Sequence, residues 1–229
     1  MGTGPLTGWE ILARGGPLMI PLLLCSILTV MIVAEKLWSF AKVPLDIHSL
    51  KKALFDDIRT NQIKKAIERC EEHSSPTAKI LKAGILNFGS ALPQIKEAME
   101  AASLQEIPKL EKNLGALLTL AHLAPLLGFL GTVTGMTMVF YTIQQRAEAL
   151  NPSSPGDLAG GIWQALLTTV TGLVVAIPAY LAYNFCVSRV HALVLQMEQS
   201  ATEFAAFLSS VTESKQLPKS EKGDYPLEI

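Results

Sequence analysis

Charge is what this sequence has least of, and the scarcity is uneven. Asp, Glu, Lys and Arg together make up 17% of the 229 residues, while 49% are hydrophobic. A soluble globular protein carries roughly 25% charged residues. Three stretches hold none of the four: 20 residues between Arg14 and Glu35, 33 between Lys112 and Arg146, and 31 between Asp157 and Arg189. A helix of about 20 mostly apolar residues crosses a bilayer, so each stretch qualifies. The chain reads as an all-α integral membrane protein with three transmembrane helices. The second and third runs exceed what the bilayer requires: at 1.5 Å per residue, the longer makes a helix of about 50 Å. Both are expected to extend into a helical cytoplasmic body.

Other absences narrow the chemistry. Of the three cysteines, Cys25 lies in a span, Cys70 between spans and Cys186 near the inner end of the third span. No pair occupies an oxidising side, so no disulfide is expected, and the spacing fits no metal motif. The Gly-rich stretches lack the Lys-Ser/Thr of a phosphate loop, and no Ser-His-Asp or His-Glu constellation occurs. No catalytic residue, cofactor or metal is expected, and the chain does not read as an enzyme. A net charge of -1 with no basic stripe and interleaved aromatics gives no footprint for nucleic acid. The spans also lack the ionisable side chains that usually carry membrane proton relays. If ions pass here, the titrating group comes from elsewhere. His122, in "LTLAHLAPLLG", is the one candidate in the chain. It sits about 36 Å from Arg146, near the cytoplasmic end of its helix, and reads either as a packed interfacial histidine or as a relay group with an unperturbed pKa of about 6.5.

Basic residues near the span ends set the orientation. One side holds Lys36, Lys42, Lys51, Lys52, Lys96, Lys109, Lys112 and Arg189, and the other only Arg14 and Arg146. The expected order is an external segment over 1–14 with Trp9 at headgroup depth, a first span over 15–38, and a cytoplasmic helical domain over 39–112. A second span follows over 113–145, then an external loop over 146–157, a third span over 158–188, and a cytoplasmic helix and tail over 189–229. "MIVAEKLWSF" continues the first span into charged helix, unlike a cleaved signal peptide. Within 39–112, breaks are expected at Pro44, at 73–76, at 87–90 and at Pro93, and residues 63, 66, 67 and 70 make one apolar face. "PQIKEAMEAASLQEIPKLEKNL" is expected to run almost unbroken into the second span despite Pro108. The polar residues after about 212 read as disordered.

What the spans do contain is glycine and threonine. Gly131 and Gly135 form a G-x-x-x-G pair with Gly128 one turn before, and Gly161, Ala165, Thr169, Gly172 and Ala176 make a ridge on the third span. Small residues let membrane helices approach closely, because lipid supplies no hydrophobic drive for association. Plain helix packing explains the glycines by itself. Thr132 lies 14 residues inward of Arg146 and Thr169 lies 12 inward of Asp157, which puts the two hydroxyls within about 3 Å of one depth. They read either as part of an ion path or as hydroxyls bonded to their own i-4 carbonyls. Gln164, Thr168 and Thr171 make a polar stripe on the third span, and Thr134, Thr137 and Tyr141 one on the second. Such stripes face protein or water, not lipid.

"LAPLLGFLGTVTGM" (123–136) and "GGIWQALLTTVTGLVVAIPAYLAYN" (160–184) resemble the TolQ/ExbB/MotA proton-channel family in its three-span TolQ/ExbB branch. "SPTAKILKAGI" and "GGPLMIPLLLCSIL" are also similar, so the likeness covers nearly the whole chain. The resemblance implies a multi-pass protein of the bacterial inner membrane, with lipid around it and its N-terminus periplasmic. It implies a ring, usually of five copies, around the helices of a smaller single-span ExbD/TolR-like partner whose Asp carries the ion. The implied activity couples a proton or sodium gradient to mechanical work on the envelope or to TonB/Tol-type transport. The family's ion-path threonines fall on Thr132 and Thr169, with Thr168 and Gln164 beside them. Gln164 departs from the pattern, since the family usually has Glu there. Glycines 128, 131, 135, 161 and 172 are the expected helix-packing positions. A non-conducting membrane scaffold that binds a partner helix is the alternative reading.

Overall fold

The computed structural model describes residues 15–41, 47–73, 75–148 and 155–216, and every element among them is an α-helix. We number them α1 (Met19–Ala41), α2 (Ile47–Arg59), α3 (Ile63–Glu72), α4 (Pro76–Leu86), α5 (Leu92–Glu111), α6 (Leu114–Glu148) and α7 (Pro155–Gln216). Helices are the natural outcome where lipid offers no partner for backbone polar groups, because each helix satisfies its own. Three are long and apolar enough to cross a membrane: α1, the run that contains α6, and α7. With 35 residues in α6 and 62 in α7, the latter is about 90 Å long. The segment 1–14 expected to be external, Pro44, residues 149–154 of the loop and the end of the tail lie outside the described residues.

The chain divides into two compact units, Met1–Ser39 with Lys112–Ser188, and Phe40–Glu111 with Arg189–Ile229. In the first unit, α6 and α7 run antiparallel. The pairings show it: Ala124 lies against Gly172, Gly128 against Thr169, Gly131 against Thr168, Gly135 against Ala165, and Val139 against Gly161. The buried residues of α1 are Met19, Leu22, Cys25, Thr29 and Lys36, which recur at three- and four-residue steps or their sum and so share one face. Met19 and Leu22 pack with Ala124 and Ala176, while Ile32 and Val33 lie over Leu117, Ala121 and Ala179. Thin alanine and glycine contacts replace the thick aliphatic core of a soluble bundle. The large side chains, such as Leu126, Phe129, Val174 and Leu181, point outward and are exposed.

In the second unit, α2, α3, α4 and α5 pack in sequence order. Ser75 caps α4 by accepting a hydrogen bond from the Ala78 N–H at 3.2 Å, with Pro76 in the first turn. A Pro in that turn forfeits no helical hydrogen bond. The same reasoning explains Pro93, which sits in the first turn of α5 instead of breaking it. Asn61 and Gly89 take left-handed backbone, φ 61° and 95°, closing the turns after α2 and α4. Ala66 and Cys70 are the buried residues of α3, with Ile63 and Ile67 half-buried beside them. Burial pushes the Cys70 thiol up to about 12. The later part of α7 adds Phe204, fully buried and stacked on Phe55 at 5.7 Å, and Phe207, edge-on to Phe55 at 4.4 Å. Asp57 pairs with Arg69 at 2.7 Å, an ion pair without hydrogen-bond alignment. Glu106 takes hydrogen bonds from Lys79 and Lys109.

The run from α5 towards α6 is interrupted at Lys112 and Asn113, not at Pro108, which stays inside α5. Asn113 adopts φ 65°, a left-handed state that asparagine tolerates better than most residues. Its side-chain amide donates to Glu35 of α1 at 2.9 Å. At the far end, α7 continues to Gln216, a few residues past the point where the polar tail was expected to lose order.

Candidate functional site

The seam between α6 and α7 gathers the glycines that the sequence singles out, together with two of its threonines, Thr168 and Thr169. Its centre is a close backbone approach. A Cβ on Gly172 would lie 2.6 Å from the Ala124 carbonyl oxygen and 3.1 Å from the Gly128 Cα. One on Gly128 would lie 3.0 Å from the Thr169 Cα. Only hydrogen fits at Gly172, and at Gly128 a Cβ would press on the facing backbone. One turn along α6 from Gly128, a Cβ on Gly131 would collide with the Thr168 hydroxyl, and one on Gly135 would lie 2.7 Å from the Ala165 Cβ. At the next level, Gly161 of α7 admits the Val139 side chain.

The two threonines of equal expected depth differ in what they touch. Thr169 reaches across the seam and donates its hydroxyl to the Gly128 carbonyl at 2.8 Å. Thr132 is half-buried and donates to the Phe129 carbonyl of its own helix at 2.7 Å. Thr168 is 2% exposed and bonds back to the Ala165 carbonyl at 2.7 Å. Thr134, Thr137 and Thr171 likewise bond to carbonyls of their own helices. Within one chain, then, the seam joins Thr169, Thr168 and the glycines, whereas the Thr132 hydroxyl, one turn from Gly128, bonds within its own helix.

Gln164 has a different neighbour. Its amide lies against Gly16, just before α1, so closely that a Cβ there would collide with Nε2. Gly16 has φ 76°, which glycine adopts without strain. Beside this contact a cavity of about 420 Å³ opens among Gly15, Pro17, Gly135, Met138, Gln164 and Thr168. His122 is exposed, with its ring 6.3 Å from that of Tyr180.

Three participants escaped the sequence reading. Gly16 faces Gln164; the "GGP" preceding α1 marks a turn, but nothing in the sequence names its partner 148 positions away. Thr29 is buried in α1 with a hydroxyl that bonds to nothing among the described residues. Lys36, read as a marker of orientation, is 4% exposed on the packed face of α1; its four-residue offset from Ile32 was the available signal. Among the described residues no cluster of His, Cys, Asp or Glu is placed to hold a metal.

Hydroxyls and glycines on long antiparallel helices, with no carboxylate in their apolar runs, define a multi-pass membrane protein built for close helix contact. Residues 72–199 match the MotA/TolQ/ExbB proton channel family, more than half of the chain, and the protein belongs to that family. It is 32% identical over 165 residues to the biopolymer transport protein exbB1 of Vibrio cholerae, covering 69% of this chain and 70% of that one. It is 37% identical over 117 residues to the Tol-Pal system protein TolQ of Pseudomonas aeruginosa, covering 50% and 48%. It is 28% identical over 176 residues to a biopolymer transport ExbB homolog of Methanothermobacter thermautotrophicus, covering 72% of this chain and 61% of the relative.

Proposed function

We propose that this chain is the ring-forming subunit of an inner-membrane motor. Five copies surround the helices of an ExbD/TolR-like single-span partner, whose Asp carries a proton or sodium ion past Thr132 and Thr169. The gradient supplies about 2.3 kcal/mol per charge per 100 mV, and the ring converts it to work on the envelope or to TonB/Tol-type transport. The N-terminus is periplasmic and the C-terminus cytoplasmic.

One observation carries the reading. The apolar runs of α6 and α7 carry many threonine hydroxyls, yet no Asp or Glu lies within 113–145 or 158–188. A lining that is polar but cannot titrate calls for a carrier from another chain. The relatives named for biopolymer transport and the Tol-Pal system support the kind of work. The back-bonded hydroxyls of Thr132 and Thr168 are also what a non-conducting scaffold for a partner helix would have. Proton flux into vesicles separates the two: flux that needs both this chain and the single-span partner supports the motor. A complex that assembles and passes no protons supports the scaffold.

A further inference from the structure

Among the threonines of the three spans, the one on α1 stands apart. Every threonine in the charge-free runs of α6 and α7 donates its hydroxyl to a backbone carbonyl, from Thr119 on Gly115 at 2.9 Å to Thr171 on Leu167 at 2.9 Å. Thr29 is 7% exposed in α1, and its hydroxyl bonds to nothing among the described residues. The carbonyl one turn back, that of Cys25, is the acceptor such a hydroxyl commonly takes, and Thr29 does not use it. A buried hydroxyl without a partner is costly anywhere, and the lipid around a span offers none.

The facing helix has an orphan of the opposite kind. Pro125 lies inside α6 and has no N–H, so the Ala121 carbonyl lacks the donor that residue 125 would otherwise give it. Thr29 shares its buried face of α1 with Leu22 and Cys25. Leu22 packs with Ala124, Ile32 and Val33 lie over Leu117 and Ala121, and Glu35 accepts from Asn113. The two helices are therefore antiparallel, and Thr29 comes level with about residue 118, about 4.5 Å along the axis from Ala121. A helical side chain leans over the turn before its own Cα, which for Thr29 is towards Ala121. A water molecule joins polar atoms about 5.5 Å apart, two hydrogen bonds end to end.

We propose that α1 and α6 enclose a binding site for one water molecule, held between the Thr29 hydroxyl and the Ala121 carbonyl that Pro125 leaves free. Water suits both ends: its oxygen accepts the threonine hydrogen, and one of its own hydrogens goes to the carbonyl. An acyl chain would satisfy neither group, and no carboxylate lies in these two runs to hold a cation. The site fastens α1 to the α6–α7 pair at a level where its other contacts are aliphatic side chains on alanine. It depends on neither a ring nor a partner, and so stands or falls apart from the motor reading.

The sign of a stability change tests the site. Valine in place of an idle buried hydroxyl is neutral or stabilising, whereas valine in place of a hydroxyl that holds water strands the Ala121 carbonyl as well. In mild detergent, Thr29→Val is expected to lower the thermal unfolding midpoint of the full-length protein by about 2–4 °C. Thr29→Ser keeps the hydroxyl and is expected to stay near the parent; a serine as damaging as valine overturns the site. Pro125→Ala returns an N–H to the Ala121 carbonyl, so in that background Thr29→Val is expected to leave the midpoint unchanged or raise it. A Thr29→Val midpoint at or above the parent's shows an idle hydroxyl and overturns the proposal. An equal drop in both backgrounds overturns it too, because the hydroxyl's partner is then not the Ala121 carbonyl. Water-edited solid-state NMR of the parent in phosphatidylethanolamine–phosphatidylglycerol vesicles needs no proline variant. Magnetisation from water is expected to reach the Thr29 Cβ, identified by its loss in Thr29→Val, faster than it reaches fully buried Leu22. Transfer to Thr29 no faster than to Leu22 overturns the proposal even where Pro125→Ala does not fold.

Discussion

Thr169 on α7 donates its hydroxyl to the main-chain carbonyl of Gly128 on α6, at 2.8 Å. The bond requires the two backbones to be nearly in contact, and the glycines around it permit that: a Cβ on Gly128 would lie 3.0 Å from the Thr169 Cα. Packing and polarity are therefore one feature at this point of the seam. Side-chain hydrogen bonds between membrane helices contribute about 0.6 kcal/mol on average, so close packing must supply most of the association.

The glycines of the seam are not equivalent, and substitution by alanine ranks them. A Cβ on Gly172 would lie 2.6 Å from the Ala124 carbonyl oxygen, which is backbone and cannot yield without moving a helix. Gly172→Ala is expected to destabilise the membrane unit by about 1–3 kcal/mol, the usual range for overpacking. Gly160 has open space around it in the same helix, and Gly160→Ala is expected to be neutral or stabilising by about 0.4–1 kcal/mol. Thermal unfolding in mild detergent, followed by circular dichroism, checks the ranking; equal effects of the two would remove the backbone contact as its cause.

Gln164 and Gly16 form a second contact that can be tested as a pair. Gly16→Ala suffers twice, from its positive φ and from collision with the Gln164 amide. Shortening Gln164 to Ala relieves the collision alone, so the double variant is expected to be less destabilised than the sum of the singles, by about 0.5–3 kcal/mol. Gln164→Glu fits the same space and is expected to support activity. Gln164→Leu loses the polar group and is expected to impair it. A strictly additive cycle would mean that the two residues do not bear on each other.

The sequence disclosed the helices far better than their contacts. Charge-free runs, the break at 73–76 and the apolar face of α3 are local signals, and each appears in the structure within a few residues. The helix through Pro108 was read correctly, while the short break at Asn113 was not foreseen, because asparagine's left-handed tolerance is a weak cue. The seam itself was half legible. Its glycines and threonines stand out by composition, but the register that brings Gly128 to Thr169 and Gly16 to Gln164 depends on how helices pair. Nothing within a single helix encodes that. The direction of a hydroxyl's hydrogen bond is likewise set by φ, χ1 and the neighbouring helix together, and so it emerged only in three dimensions.

Cys70 gives a prediction for the second unit. Burial pushes its thiol up to about 12, and only the thiolate reacts readily. In a variant with Cys25 and Cys186 replaced by alanine, maleimide at pH 7.5 is expected to leave the folded protein unlabelled over a time in which denatured protein labels fully. Rapid labelling of the folded form would show that α3 opens from its neighbours.

Orientation is checked at two engineered cysteines. With eight basic residues near span ends on one side against two on the other, the loop after α6 is expected outside and the end of α7 inside. In a background without native cysteines, Ser153→Cys is expected to react with a membrane-impermeant reagent in intact cells and Ser214→Cys only after lysis. The opposite pattern would invert the topology and put the second unit outside.

Valine at Thr132 and Thr169 separates assembly from energy transduction. Thr→Val keeps the shape and the β-branch and removes only the hydroxyl. At Thr132 the lost bond is internal to α6, so assembly is expected to be unchanged. At Thr169 the bond to Gly128 is lost, at a cost of about 0.5–1.5 kcal/mol. That is too little to separate helices whose backbones touch at several levels. Both variants are therefore expected to form normal oligomers with the partner, visible by native mass spectrometry, while proton flux falls by tenfold or more. The larger effect on flux follows from the proposed role, in which each hydroxyl acts on every proton carried past it. If Thr169→Val dissociates the assembly, that hydroxyl belongs to packing. If both variants conduct like the parent, neither threonine lies on the ion path.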